Sequence, residues 1–207
     1  MRFFVIGALS LMLAACAGKL DYVRPQARPE ASANVKIIDR PREAVWTSSI
    51  PELGKKIFGV NTIDKSSGLL NITYTGNPEE FIDCGRITSY VSNARGERTY
   101  DFPAAKAQQS YEIMEQGGSL VFVDRRMSLE GKINLIFEEA GPTSTRVTVN
   151  TRYVVTKTAT VRYATNNFPQ TTVESIVFNT GGGSMFPLQT VCLATGALER
   201  EVLSAIK

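Results

Sequence analysis

The sequence predicts an α+β fold: an antiparallel sheet with a helix packed near the N-terminus and a short helix at the C-terminus. Apolar and polar residues alternate through 127–138 and 147–155, which is typical of strands with one buried and one solvated face. Near both ends of the body, apolar residues instead recur every three or four positions, which indicates amphipathic helices. We therefore expect a single globular domain over 35–207, with about six to eight strands.

Residues 1–15 have the three zones of a secretory signal peptide. A positive residue stands near the start, an apolar run covers 3–13, and small residues precede Cys16. The run is shorter than the roughly 18–20 residues that span a bilayer, so we do not expect a permanent transmembrane helix. The sequence Leu13-Ala14-Ala15-Cys16 resembles the bacterial lipobox, in which the cysteine thiol is acylated and the chain is cut just before it.

This resemblance implies a lipoprotein whose Cys16 carries palmitate or a similar acyl group. Ala17 stands where an aspartate would imply retention in the inner membrane, so the resemblance implies the outer membrane. The body would then lie in the periplasm, with exposure on the cell surface as the alternative. An ordinary cleavable signal followed by an incidental cysteine is the other interpretation of the same residues.

Residues 16–34 are predicted to be the lipidated cysteine and a flexible tether. They contain two Arg-Pro dipeptides, several small or polar side chains and little apolar periodicity. A flexible chain of this length holds a folded body at a root-mean-square distance of roughly 25 Å from its anchor.

The body opens with a strand at 35–38 and a helix that begins near Asp39 and Pro41, where a capping side chain precedes a proline. Four apolar residues then share one helical face, and Pro51 within them should kink or divide the helix. These four are Trp46, Ile50, Leu53 and Ile57. Strands follow at 60–64 and 69–74, joined by a turn at 65–68.

The runs at 41–46, 63–68 and 69–74 resemble the helix-grip repeats of BamC-type outer-membrane lipoproteins. The resemblance covers residues 35–75. It implies that a helix bearing an aromatic residue packs across a small antiparallel sheet. It also implies that the protein accompanies the machinery that assembles β-barrels in the outer membrane.

The remaining elements follow from the same patterns. A strand is predicted at 86–91, and the two alternating segments should pair as a hairpin through the turn at 141–143. Further strands are predicted at 158–163 and 173–178. A terminal helix after Thr195 should place Leu198, Val202 and Ile206 on one face.

Three cysteines are present, and the lipid accounts for Cys16. The remaining two, Cys84 and Cys192, should form a disulfide because an exported body lies in an oxidising compartment. The closed loop of about 109 residues would stabilise the fold by roughly 4–5 kcal/mol on a chain-entropy argument. A redox role is disfavoured because the chain has no Cys-x-x-Cys pair.

The chain contains no histidine, which excludes Ser-His-Asp and Cys-His catalysis and most zinc sites. We assign no catalytic, cofactor or metal residues and predict a protein that is not an enzyme. Cleavage before Cys16 removes one positive charge from a net charge of +3 and leaves about +2, which gives no reason to expect nucleic acid. The only local basic features are Asp124-Arg125-Arg126 and the Arg95/Arg98 pair, which are either solvated or placed to meet anionic lipid or an acidic partner.

Two functions fit these observations. The favoured one is a non-enzymatic accessory or scaffold of an envelope complex, which binds another envelope protein through a sheet edge or helix groove. The alternative is a binding protein for a small apolar or lipid-like ligand, which would lie in a cavity beneath the helix of Trp46.

Overall fold

A computed structural model describes residues 17–27, 33–166, 168–187 and 189–207. This part of the chain is mainly β-structure, with strands making up 59% and helices 11%. In chain order the strands are β1 Ala17–Val23, β2 Val35–Ile38, β3 Gly59–Asp64, β4 Leu69–Gly76, β5 Ile82–Asp83, β6 Arg86–Asn93, β7 Gly96–Pro103, β8 Gln108–Met114, β9 Leu120–Gly141, β10 Ser144–Tyr163, β11 Gln170–Asn179, β12 Gly183–Met185 and β13 Val191–Ala194. The helices are α1 Arg42–Gly54 and α2 Ala197–Ser204.

The strands form three antiparallel sheets. The largest has the order β11-β10-β9-β4-β3, with β2 paired to β10 and β8 paired to β9. Its centre is the long hairpin of β9 and β10, which is continuous from the pair Gly141/Ser144 to the pair Val121/Tyr163. A second sheet has the order β1-β6-β7, and a small third sheet has the order β12-β13-β5.

The predicted α+β fold class, with its helix-grip arrangement, is therefore wrong. The two helices supply only 13 and 8 residues, and α1 does not form a layer across a sheet. Within α1, Trp46 meets Phe137 edge-on at 5.0 Å between ring centroids, while Ile57 lies beyond the helix and is 63% exposed. Pro51 lies inside α1 and does not divide it.

The N-terminal segment also differs from its predicted form. We expected a tether over 16–34, but Ala17–Val23 forms β1 and pairs along its whole length with β6. Most of its side chains are exposed, so the strand is held through its backbone and through Tyr22. A segment of this kind lacks an apolar face, and its sequence therefore resembles that of a linker.

The main core lies on the inner face of β4, β9 and β10, where α2 closes one side. Its largest fully buried side chains include Phe137, Tyr153 and Leu198. Gly131 makes room for α2, because a Cβ at this position would lie 2.9 Å from Leu198 Cδ2.

The cysteines of the body are joined. The sulfur atoms of Cys84 and Cys192 lie 2.01 Å apart, so the predicted disulfide is present in the structure. It links Cys84, the residue directly after β5, to Cys192 in β13, and both residues are fully buried.

Residues 1–15 and Cys16, on which the signal-peptide and lipidation predictions rest, lie outside the described residues. Neither helix in the described ranges is long and apolar enough to cross a membrane.

Candidate functional site

A cavity of about 280 Å³ lies between the inner face of the largest sheet and the sheet of β1, β6 and β7. Its floor comes from β8, β9 and β10, and its cover comes from β1 and β6. The lining residues are Leu20, Asp21, Tyr22, Ile87, Tyr111, Ile113, Val123, Arg125, Lys157, Ala159, Val161 and Thr190. Most of these side chains are apolar. Arg125 and Lys157 carry a positive charge, and Asp21 carries a negative charge that is half exposed and paired with Lys19 at 2.7 Å.

The register of the β9–β10 hairpin explains which side chains line the floor. Val123 is paired with Val161, and Arg125 is paired with Ala159. Successive side chains of a strand point to opposite faces, so Val123 and Arg125 share the inner face while Arg126 is exposed on the outer one. The same alternation brings Lys157 of β10 inward, opposite Met127.

Arg125 is buried, and no residue in the described ranges supplies it with a negative charge. Its side chain is 3% exposed; Nη2 donates a hydrogen bond to the carbonyl oxygen of Ala104, and Nη1 has no partner among the described residues. The titratable groups that act on its charge are the phenols of Tyr111 and Tyr22, and no described carboxylate is among them. Burial lowers the pKa of the guanidinium from its ordinary value. A buried charge without a counter-charge is costly, so an anion bound beside Arg125 would stabilise the folded protein.

Lys157 is the contrasting case, because the protein supplies its partners. Its ammonium lies 2.6 Å from Glu174 Oε2 and 4.6 Å from the centre of the Phe186 ring. The carboxylate and the aromatic face together stabilise the charge. Lys157 is therefore paired with a carboxylate, whereas Arg125 has no such partner among the described residues.

Two tyrosines stand near Arg125, and neither supplies negative charge at neutral pH. Burial raises the pKa of both Tyr22 and Tyr111 above the ordinary value, so both phenols stay protonated. The Tyr22 hydroxyl donates towards the carbonyl oxygen of Cys84 at 3.1 Å and accepts from the Val191 amide at 2.9 Å. Tyr22 thus fastens β1 over the cavity beside the disulfide.

The sequence identified Arg125 only as part of a local basic group, and gave a solvated face as one of its interpretations. A stronger signal was available in the alternation of β9. Arg125 points to the inner face of β9, together with buried apolar residues. These are Val121, Val123, Met127 and Leu129. A charged residue in the apolar phase of a strand indicates either a buried ion pair or a ligand site.

Among the described residues, the space beside Trp46 is small. It is lined by Arg42, Glu43, Trp46 and Lys65 and has a volume of about 0 Å³, too little for a water molecule. The ring of Trp46 packs edge-on against Phe137. Within the described ranges, no group of three or more aspartates, glutamates or cysteines could hold a metal ion.

Comparisons of this chain with protein-family models, with curated proteins and with solved structures found no match.

Proposed function

We propose that this protein binds a small amphiphile with an acidic head and an apolar tail in the cavity beside Arg125, and that its role is binding rather than catalysis. The observation that carries the proposal is the buried guanidinium of Arg125, which lines a mainly apolar cavity and has no anionic partner among the residues that the structure describes. A carboxylate at this position would form a charge-assisted pair with Nη1, and the apolar walls would cover the tail.

The volume of the cavity limits the size of the ligand. An apolar cavity of about 150 Å³ holds one benzene molecule, so 280 Å³ suits a ligand of roughly ten to twelve non-hydrogen atoms. A carboxylate with an eight-carbon chain has this size. Longer chains would need to extend out of the cavity along Leu20, which is half exposed.

The setting of this binding is also a proposal. The lipobox at Leu13-Ala14-Ala15-Cys16 supports export and acylation of Cys16, with the body in the periplasm at the outer membrane. The disulfide supports an oxidising compartment, because buried pairs of this kind are rare in reducing ones. Acidic amphiphiles such as fatty acids occur in and beside membranes, where an anchored protein would meet them.

Titration calorimetry with three eight-carbon ligands tests the head-group preference. The protein carries Cys16→Ser, so that no attached acyl chain competes for the cavity. We expect octanoate to bind at least about tenfold more tightly than octanol, a difference of about 1.4 kcal/mol. Octylammonium should bind most weakly, because its charge would lie beside Arg125.

Arg125→Gln should abolish the preference for octanoate over octanol. Arg126→Gln is the matched control, since Arg126 is the next residue on β9 and faces outward. Equal octanoate affinity in the wild type and in Arg125→Gln would refute the proposal, provided that both proteins melt at similar temperatures.

A second candidate is an accessory role in an envelope complex, through docking on another envelope protein. β3 forms one edge of the largest sheet, and Val60 and Ile63 on it are 40% and 52% exposed. Unpaired backbone groups and apolar side chains on one edge allow a strand of another protein to pair there. A photo-crosslinking residue at Ile63 should capture one envelope protein in whole cells, whereas the same residue at Ser175 on β11 should not.

A further inference from the structure

One end of the molecule brings together the start of β1 and the ends of four other strands. Ala17 pairs with Ser92 near the end of β6, and Gly18 lies directly against Met114, the last residue of β8. Met114 in turn pairs with Leu120, the first residue of β9. The amide of Ala164, which follows β10, donates to the carbonyl oxygen of Leu120 at 2.9 Å. We call this region the Leu120 end.

The position of Ala17 fixes where an anchor would attach. Cys16 precedes Ala17 in the sequence, and adjacent Cα atoms are about 3.8 Å apart, so an acyl group on Cys16 would be attached one residue away from the Leu120 end. Because β1 begins at Ala17, that acyl group would be joined to the folded body without an intervening tether. An acyl group on Cys16 would therefore hold this end, and no other, against the bilayer.

The same end presents an exposed aromatic side chain. Phe168, between β10 and β11, is 79% exposed, which is the largest exposure among the bulky apolar residues of the described ranges. The exposed charged residues at the strand ends of this region have both signs. Arg95 precedes β7 and Arg162 lies near the end of β10, while Glu97 lies at the start of β7 and Glu115 follows β8. The surface therefore has no strong field of one sign, and its apolar contact is Phe168.

We infer that the Leu120 end is a bilayer-contacting surface, in which Phe168 enters the headgroup region beside the acyl chains on Cys16. The inference rests on the proposed acylation of Cys16 and goes beyond it, since acylation alone fixes neither orientation nor contact. An aromatic side chain beside a covalent acyl group supplies the second membrane contact that holds one orientation.

This orientation also places the cavity relative to the membrane. Arg125 lies five residues along β9 from Leu120, a strand distance of roughly 17 Å. Between them the cavity is lined by Ile113 and Val161, which are less buried than Arg125. The acidic head of a ligand at Arg125 would thus point away from the bilayer, and its tail would point towards the bilayer.

Fluorescence quenching by brominated phospholipids tests the orientation on the acylated full protein in phosphatidylcholine vesicles. In Phe168→Trp, we expect the added emission to fall by at least about half, because an interfacial side chain reaches the headgroup and acyl boundary. Ile63→Trp is the matched control, since Ile63 is exposed near the opposite end of the largest sheet. Its emission, and that of buried Trp46 in the wild type, should not change.

Intact-mass measurement of the same samples shows whether a negative result comes from a missing acyl anchor or from a missing bilayer contact. A protein without acyl chains refutes the anchor and, with it, this inference. An acylated protein whose Phe168→Trp emission is not quenched refutes the contact alone, as does equal quenching of Ile63→Trp. Quenching confined to Phe168→Trp in the acylated protein supports the surface as described.

Discussion

At the scale of single residues, Arg125 is a buried charge without a counter-charge among the described residues, which should lower the stability of the free protein. Burial removes water from its guanidinium, which donates one hydrogen bond to the carbonyl oxygen of Ala104. Replacing a buried, uncompensated charge by an apolar side chain of similar length is commonly neutral or stabilising. The free protein should therefore tolerate loss of this charge, although ligand binding should not.

Arg125→Met tests this expectation by urea unfolding without ligand. We expect the free energy of unfolding to lie between no change and an increase of about 2 kcal/mol, since relief of the buried charge outweighs the lost bond to Ala104. Arg126→Met, on the exposed face, should change it by less than about 0.5 kcal/mol. A loss of more than about 2 kcal/mol in Arg125→Met would mean that the charge is compensated inside the protein.

Asp64 offers a residue-scale prediction in pH. Hydrogen bonds from Ser66, and next from Ser67, lower the pKa of this carboxyl from 3.8 to about 2. Because the folded-state pKa is lowered, this stabilisation of the 65–68 turn is complete above pH 3.8. It is lost as the pH falls through about 2. A carbon-detected NMR titration should place the midpoint of Asp64 near 2, and Ser66→Ala should move it back towards 3.8.

At the scale of elements, α2 is held by a buried carboxylate. Glu199 is fully buried, accepting from Tyr153 Oη at 2.7 Å and from Thr180 Oγ1 at 2.8 Å. Burial, with the nearby Glu199 charge, raises the pKa of Tyr153 far above its ordinary value, so the phenol remains a donor. The carboxylate thereby ties the helix to β10 and to the residue after β11.

Glu199→Ala should lower the free energy of unfolding by about 2–4 kcal/mol, because it leaves the buried Tyr153 hydroxyl and the half-buried Thr180 hydroxyl without their acceptor. Glu201→Ala is the matched control on the same helix. Glu201 forms a partly exposed ion pair with Lys56, so its loss should cost less than about 1 kcal/mol. Chemical denaturation measures both, and equal losses would contradict the role given to Glu199.

β1 depends on close approach at one glycine. A Cβ at Gly18 would collide with the side chain of Met114, so Gly18→Val should push β1 away from β8. We expect faster amide hydrogen exchange over 17–23 and weaker octanoate binding, because β1 covers the cavity. Gly54→Ala is the control, since a Cβ at that position meets nothing within 4 Å. Unchanged exchange in Gly18→Val would show that β1 is held without this contact.

For the whole molecule, the disulfide should be the largest single contribution to stability that one covalent change can remove. The double variant Cys84→Ala/Cys192→Ala should lose roughly 4–5 kcal/mol of unfolding free energy, for a closed loop of about 109 residues. Urea unfolding of the wild type with a reductant should give a similar loss. A loss below about 1 kcal/mol would show that the unfolded chain is already compact.

The sequence predicted the strands that have one solvent-exposed face and one buried face. The strands predicted at 69–74, 127–138 and 147–155 lie within β4, β9 and β10, because each alternates cleanly. It missed β7 and β8, whose side chains are mostly exposed or half-buried and bury only one residue each, Phe102 and Met114. The fold class was wrong for this reason. The helical periodicity could be recognised in the sequence, whereas several strands have no alternation of apolar and polar residues.

The candidate site was hidden for a different reason. Arg125 and Lys157 come from strands that were predicted in part, but nothing local shows that Glu174 pairs with one and that no acid pairs with the other. That difference depends on the pairing of β10 with β11 and on the cover supplied by β1. Both are long-range relations that a single sequence does not contain.

The bond between Cys84 and Cys192 makes a covalent ring of everything from β6 to β12, and the exposed connection at Phe168 belongs to that ring. A protease that cuts at Phe168 opens the ring but releases nothing. The disulfide holds the two fragments together until it is reduced, so the fragment that carries Ala17 remains joined to the other fragment. A protein with this topology therefore remains one covalent molecule after a single cut in the connection between β10 and β11.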